Sequence, residues 1–132
     1  ARHGSLRVRG VSATALQTSS VDQLDSATLM TTSPDLFTSA ADQQFFEVQK
    51  QVRLSRYGCD CYAYCLLAAG HIELVVESGL NIYDIAALIP IIESAGGLVT
   101  SWSGGDASKG GTILAAANAD IHRQAMALLD AA

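Results

Sequence analysis

Glu77-Ser78-Gly79-Leu80-Asn81-Ile82-Tyr83-Asp84-Ile85-Ala86-Ala87 sets two carboxylates seven positions apart around a turn. Ahead of it, Ile72-Glu73-Leu74-Val75-Val76 has the alternating and then continuous apolar character of a strand. Behind it, an apolar run reaches Ala95 and stops at Gly96-Gly97, the pattern of a buried helix with a glycine end signal. Glu77 then ends the strand and Asp84 starts the helix. Open α/β sheets place ligand sites beyond the carboxyl ends of strands, and a helix start presents free amides to an anion. On spacing alone, a helix cap at Asp84 and a surface place for Glu77 are nonetheless the favoured reading.

Working outward, Tyr57-Gly58-Cys59-Asp60-Cys61 joins a strand-like stretch over 52–55 to a buried helix over 61–69 that ends at Gly70. Asp60 at this junction could hold a cationic ligand group, although an N-cap is the commoner role for an aspartate so placed. Before it, residues 40–51 put Phe45, Phe46 and Val48 on a helical stripe. Leu29-Met30-Thr31-Thr32 reads as a strand, entered from a helical turn capped by Ser20-Val21-Asp22-Gln23. Downstream, residues 98–102 and 112–116 read as strands around a glycine-rich loop, and residues 120–129 as a helix with Ile121, Ala125, Leu128 and Leu129 on its apolar face. Strands and helices alternate, and several strands are apolar on both faces. The expected fold is α/β, a mostly parallel sheet covered by helices.

The chain has 132 residues and a formal net charge of −5. That length suits one domain with a core, and the acidic balance argues against a nucleic-acid partner, which requires a basic face for phosphates. Arg2, Arg7 and Arg9 cluster in a segment read as solvated. No apolar run reaches the roughly 18 residues of a membrane span, and no basic-then-apolar signal pattern opens the chain. Cys59, Cys61 and Cys65 are too crowded for a disulfide framework and lack the fourth ligand of structural zinc. Free thiols in a reducing compartment, cytoplasmic or organellar, are expected.

Other motifs read as local structure. Gly104-Gly105-Asp106-Ala107-Ser108-Lys109-Gly110-Gly111 has glycines and a lysine, but Lys109 precedes two glycines and a strand, not Ser or Thr at a helix mouth. Asp22-Gln23-Leu24-Asp25 falls in a capping segment. His71 and His122 have no nucleophile in a triad-like arrangement.

Tyr83-Asp84-Ile85-Ala86-Ala87 and Ile92-Glu93-Ser94-Ala95-Gly96-Gly97 together resemble the carboxy-terminal signature of the inositol monophosphatase family, and the likeness runs over residues 33–129. Arg56-Tyr57-Gly58-Cys59-Asp60-Cys61-Tyr62-Ala63-Tyr64, Val75-Val76-Glu77-Ser78-Gly79-Leu80 and Thr31-Thr32-Ser33-Pro34 resemble its histidinol-phosphate phosphatase branch. The resemblance implies magnesium-dependent hydrolysis of a phosphate monoester, in which Mg2+ binds the phosphate and activates water. It places Asp84 on a metal ligand and Glu77 on the carboxylate that meets the hydroxyl-bearing part of the substrate. Gly58, Cys59 and Asp60 fall on the turn that lines the substrate pocket, where the charge of Asp60 suits the ammonium of histidinol.

The family's amino-terminal glutamate and Asp-Pro-Ile-Asp-Gly-Thr metal elements have no match in the chain. Residues 1–20 are therefore expected to be an irregular arm that ends a missing half, and 21–132 the carboxy-terminal α/β domain. The parent enzyme is expected to be a homodimer in the cytoplasm or an organelle, and the isolated chain to be inactive. An inositol or other sugar monophosphatase, and a non-catalytic binding half-domain, are the alternatives.

Overall fold

The computed structural model describes residues 6–9 and 12–130. Two short strands, β1 (Leu6–Arg9) and β2 (Ser12–Ala15), pair antiparallel. The rest is built on a five-stranded sheet of β3 (Thr28–Thr31), β4 (Leu54–Tyr57), β5 (Leu74–Leu80), β6 (Leu98–Thr100) and β7 (Gly111–Ala116), in the order β4-β3-β5-β7-β6. β3 runs parallel to both β4 and β5, and β7 runs antiparallel to both β5 and β6. Four strands thus share one direction and β7 opposes them. The expected α/β layering is present, and the sheet is mixed.

The alternation of side chains along a strand, with a period of two, divides the apolar residues between two cores. Leu29, Leu74, Val76, Leu114 and Ala116 face α1 (Gln44–Gln51) and α5 (Ala119–Leu129), which contribute Phe45, Val48, Ile121, Ala125 and Leu129. Met30, Val75, Ile113 and Ala115 face the other layer, against Ala63, Tyr64 and Leu67 of α2 (Cys61–Ala68). Ile85 of α3 (Ile82–Ile85) and Ile92 of α4 (Leu88–Ser94) complete that side. Both faces are dry, which is why β5 and β7 read as continuous apolar runs.

Several boundaries differ from expectation for identifiable reasons. Residues 6–9 and 12–15, expected irregular, form the paired β1 and β2, while Arg2 lies outside the described residues. The turn before β3 spans Leu24–Ser26, and its N-cap is Gln23, with no side-chain cap. Ser20 is therefore not the cap, and nearby Ser19 Oγ instead accepts the Val21 N–H at 3.2 Å. The helix expected over 82–95 is two helices. Pro90 has no N–H for the Ala86 carbonyl and its ring crowds that carbonyl, so the chain breaks at Ala86-Ala87 and restarts with Pro90 in the first turn of α4, where the missing donor costs nothing. β6 stops at Thr100, two residues early.

Gly96-Gly97 ends α4 as expected, and the structure supplies the reason. Gly96 takes φ +105°, and a Cβ on Gly97 would lie 2.6 Å from Ile92 Cγ2 and 2.8 Å from the Ala116 carbonyl oxygen. The pair lets the end of α4 sit directly on β7.

Candidate functional site

From β3 the chain passes through α1 to β4 on one side, and from β4 through α2 back to β5 on the other side of β3. The crossovers after β3 and β5 thus lie on opposite faces of the sheet, which opens a crevice between the two strands at their carboxyl ends, the position where α/β folds bind ligands. A cavity of about 740 Å³ lies there, lined by Thr32, Leu36, Asp42, Asp60, Cys61, Tyr64, Glu77, Ser78, Gly79, Leu80, Tyr83 and Asp84.

Glu77 does not end β5 as its sequence suggested. The strand continues to Leu80, and its pairing with β7 slips, so that Glu77 lies opposite Ile113 and Leu80 opposite Gly111. One extra residue is thereby accommodated in β5, with Gly79 at φ +77°. This is a β-bulge, a device that re-aims side chains beside functional sites. The bulge turns Ser78 toward the segment before α1, where Ser78 Oγ donates to Asp42 Oδ1 at 2.8 Å.

The Glu77 carboxylate is only 5% exposed. Burying such a group is costly unless it is hydrogen-bonded, and three donors meet it. The Thr32 N–H donates to Oε1 at 3.1 Å and the Thr32 hydroxyl donates to the same oxygen. The Tyr64 hydroxyl donates to Oε2 at 2.7 Å. Burial, and then the charge and hydrogen bond of Glu77, push the Tyr64 phenol far above its usual range, so it stays protonated and remains a donor.

Asp84 sits on the first turn of α3, exposed at the cavity rim. Its Oδ2 accepts the Asn81 N–H at 2.8 Å. It therefore holds the helix start with one oxygen, and Oδ1 has no hydrogen-bond partner among the described residues. The capping and functional readings of Asp84 are compatible, one for each oxygen.

Asp60 occupies the N-cap position of α2, but its side chain makes no capping bond. Its backbone is at φ 45°, ψ −131°, and the Tyr62 N–H donates to the Cys59 carbonyl at 2.9 Å. Those features describe a tight turn whose first central residue is normally glycine, asparagine or aspartate. Among the described residues Asp60 is the single non-glycine with positive φ. A conformation of this kind costs of order 1–3 kcal/mol, and such strain concentrates at ligand sites. The strained turn leaves the carboxylate at the cavity wall instead of on the helix amides.

Gly58 and Cys59 do not line the cavity. Gly58, at φ +98°, donates its N–H to the Thr31 and Thr32 carbonyls and ties the end of β4 to that of β3. Cys59 packs partly buried against the α2 side of the core. Cys61 and Cys65 are exposed, and all three thiols are free. His71 and His122 lie away from the cavity, and His122 Nε2 is 2.8 Å from Thr100 Oγ1. The glycine-rich loop is a surface turn in which Asp106 accepts from the N–H and hydroxyl of Ser108, both at 2.8 Å.

Thr32, Tyr64, Asp42 and Ser78 belong to the site without having been singled out as site residues in the sequence. Asp42 is held by the Ser39 N–H at 3.2 Å and by Ser78. Burial raises its pKa, but the hydrogen bonds from Ser39 and Ser78 outweigh that effect and keep the carboxyl below its usual value. Phe37 stacks on Phe45 with ring centroids 3.9 Å apart and anchors the same segment to the core.

The donor set does not form a metal site on its own. Among the described residues no three of His, Cys, Asp and Glu are grouped so as to hold an ion. Asp84 offers one hard oxygen, and hard divalent cations require several. No helix among the described residues is long and apolar enough to cross a membrane.

The model of the inositol monophosphatase family matches residues 3–132. The bifunctional phosphatase IMPL2, chloroplastic, of Arabidopsis thaliana is 44% identical over 124 residues, covering 87% of the chain and 36% of that protein. A histidinol-phosphatase of Mycobacterium tuberculosis is 34% identical over 79 residues, covering 60% of the chain and 30% of that protein. Among solved structures, an inositol monophosphatase from Zymomonas mobilis superimposes with a TM-score of 0.83 at 39% identity, covering 88% of the chain and 47% of its own. The chain thus spans about a third of the length of these curated relatives and about half of that solved chain.

Proposed function

This chain belongs to the inositol monophosphatase family, a family of metal-dependent phosphatases, and on that premise we propose that it forms the substrate-facing part of a magnesium-dependent phosphate monoesterase acting on histidinol phosphate. The observation that carries the reading is the convergence of Glu77, Asp84 and Asp60 on one cavity at the carboxyl ends of β3, β4 and β5. Asp84 would supply one ligand to a magnesium site whose remaining ligands would come from the rest of the full-length enzyme, and the ion would supply Lewis acidity there. The residues of this chain bind and orient. Glu77, fixed by Thr32 and Tyr64, faces the alcohol portion of the substrate, and Asp60 attracts its ammonium. The full-length enzyme is a homodimer of the cytoplasm or an organelle, and a chloroplastic relative supports the organellar arm.

An inositol monophosphate is the second reading, favoured by the inositol-1-monophosphatase of Caulobacter vibrioides, 35% identical over 86 residues. The two substrates differ in charge, and Asp60 separates them. In the full-length enzyme, Asp60→Asn is expected to lower kcat/KM for histidinol phosphate about tenfold and to leave inositol 1-phosphate nearly unchanged. A charge-assisted hydrogen bond contributes about 1.5–3 kcal/mol, and the exposure of Asp60 places the effect at the lower end. Asparagine accepts positive φ as readily as aspartate, so the turn survives. Equal losses on both substrates in steady-state assays would make Asp60 a structural residue and remove the argument for histidinol.

A further inference from the structure

Glu77 offers fewer open acceptor sites than a carboxylate normally does. An ionised carboxylate has about four lone-pair positions on its two oxygens. Thr32 fills both positions on Oε1, with its N–H and its hydroxyl, and Tyr64 fills one on Oε2. One position remains, on Oε2. Neither donor is easily displaced, because Tyr64 is 2% exposed and packed in the α2 core, and Thr32 donates partly from the backbone.

We propose that Tyr64 is a specificity-determining residue of this cavity. By occupying one acceptor position of Glu77, it limits the carboxylate to a single substrate donor on Oε2. The site then favours a phosphate monoester that presents a single N–H at that point, as the imidazole of histidinol phosphate can while its ammonium meets Asp60. A ring polyol, two of whose neighbouring hydroxyls would both donate to Oε2, finds one of the two positions there closed by Tyr64. This inference rests on the reading of the cavity as the phosphate ester site. It adds a discrimination that Asp60 does not supply, since Asp60 selects by charge and Tyr64 by the number of acceptors left open.

The test measures kcat/KM of the full-length enzyme and its Tyr64→Phe variant on histidinol phosphate and on inositol 1-phosphate. Phenylalanine keeps the ring in the core and frees the Oε2 position. The ratio of the two kcat/KM values is expected to shift about tenfold toward the polyol, the kinetic equivalent of one hydrogen bond to a charged acceptor, chiefly through the two KM values. If Tyr64→Phe does not fold, Thr32→Val opens a position on Oε1 and should shift the ratio in the same direction. A folded variant that melts earlier with its ratio unchanged overturns the role of Tyr64 while leaving the cavity reading intact. Wild-type enzyme that hydrolyses neither ester overturns the cavity reading, and this inference with it.

Discussion

Asp84→Asn in the full-length enzyme is expected to lower kcat/KM for histidinol phosphate at least about a hundredfold, equivalent to about 2.7 kcal/mol of transition-state stabilisation. The magnesium concentration for half-maximal rate should rise with it. The melting temperature measured without metal should stay close to wild type, because the two roles of this side chain are separable. Its helix role is one hydrogen bond from the Asn81 N–H to Oδ2, which an asparagine carbonyl can also accept. Asp84 is exposed and α3 has only four residues, so little charge–dipole stabilisation is lost. Its proposed metal role depends on the full charge, since a neutral amide oxygen binds a hard cation less strongly than a carboxylate does. A variant that melts early but keeps its activity per folded molecule would show that Asp84 serves only the helix.

The second large effect concerns the chain in isolation. Purified as 132 residues, it is expected to release phosphate from histidinol phosphate no faster than a metal-free blank. The cavity walls are present, but the described residues contain no group that could hold an ion. Without the ion neither the nucleophile nor the leaving alkoxide is stabilised, and that stabilisation carries most of the rate in metal-assisted phosphate hydrolysis. Magnesium-dependent turnover by this chain alone, scaling with its concentration through a sizing column, would refute the division of labour proposed for Asp84.

The layered α/β fold was legible because local signals agreed with one another. Continuous apolar runs marked strands covered on both faces, and Gly70 and Gly96-Gly97 closed helices at the expected places. Asp60, Glu77 and Asp84 were legible as a group only through the family resemblance, because spacing alone favoured caps and surface positions. The structure shows why that reading was incomplete. Asp84 does hold a helix start, but with one oxygen, and Asp60 occupies a cap position without capping.

What was not legible depends on contacts distant in the chain. The donors to Glu77 come from Thr32 and Tyr64, 45 and 13 positions away, and no local pattern announces such a network. Asp42 joins the site through Ser78, 36 positions further on. Two misreadings had usable signals. Pro90 inside an apolar helical run marks a helix break four residues earlier, and Gly79 after a buried glutamate marks a bulge as well as it marks a turn.

Phosphate release from histidinol phosphate by the full-length enzyme, purified free of metal and then titrated with Mg2+, decides whether this cavity belongs to a metal-assisted phosphate monoesterase. No turnover is expected with chelator present, followed by saturable turnover on adding Mg2+ and a preference for histidinol phosphate over inositol 1-phosphate. Full activity in chelator, or no hydrolysis of either ester at any magnesium concentration, would contradict this expectation.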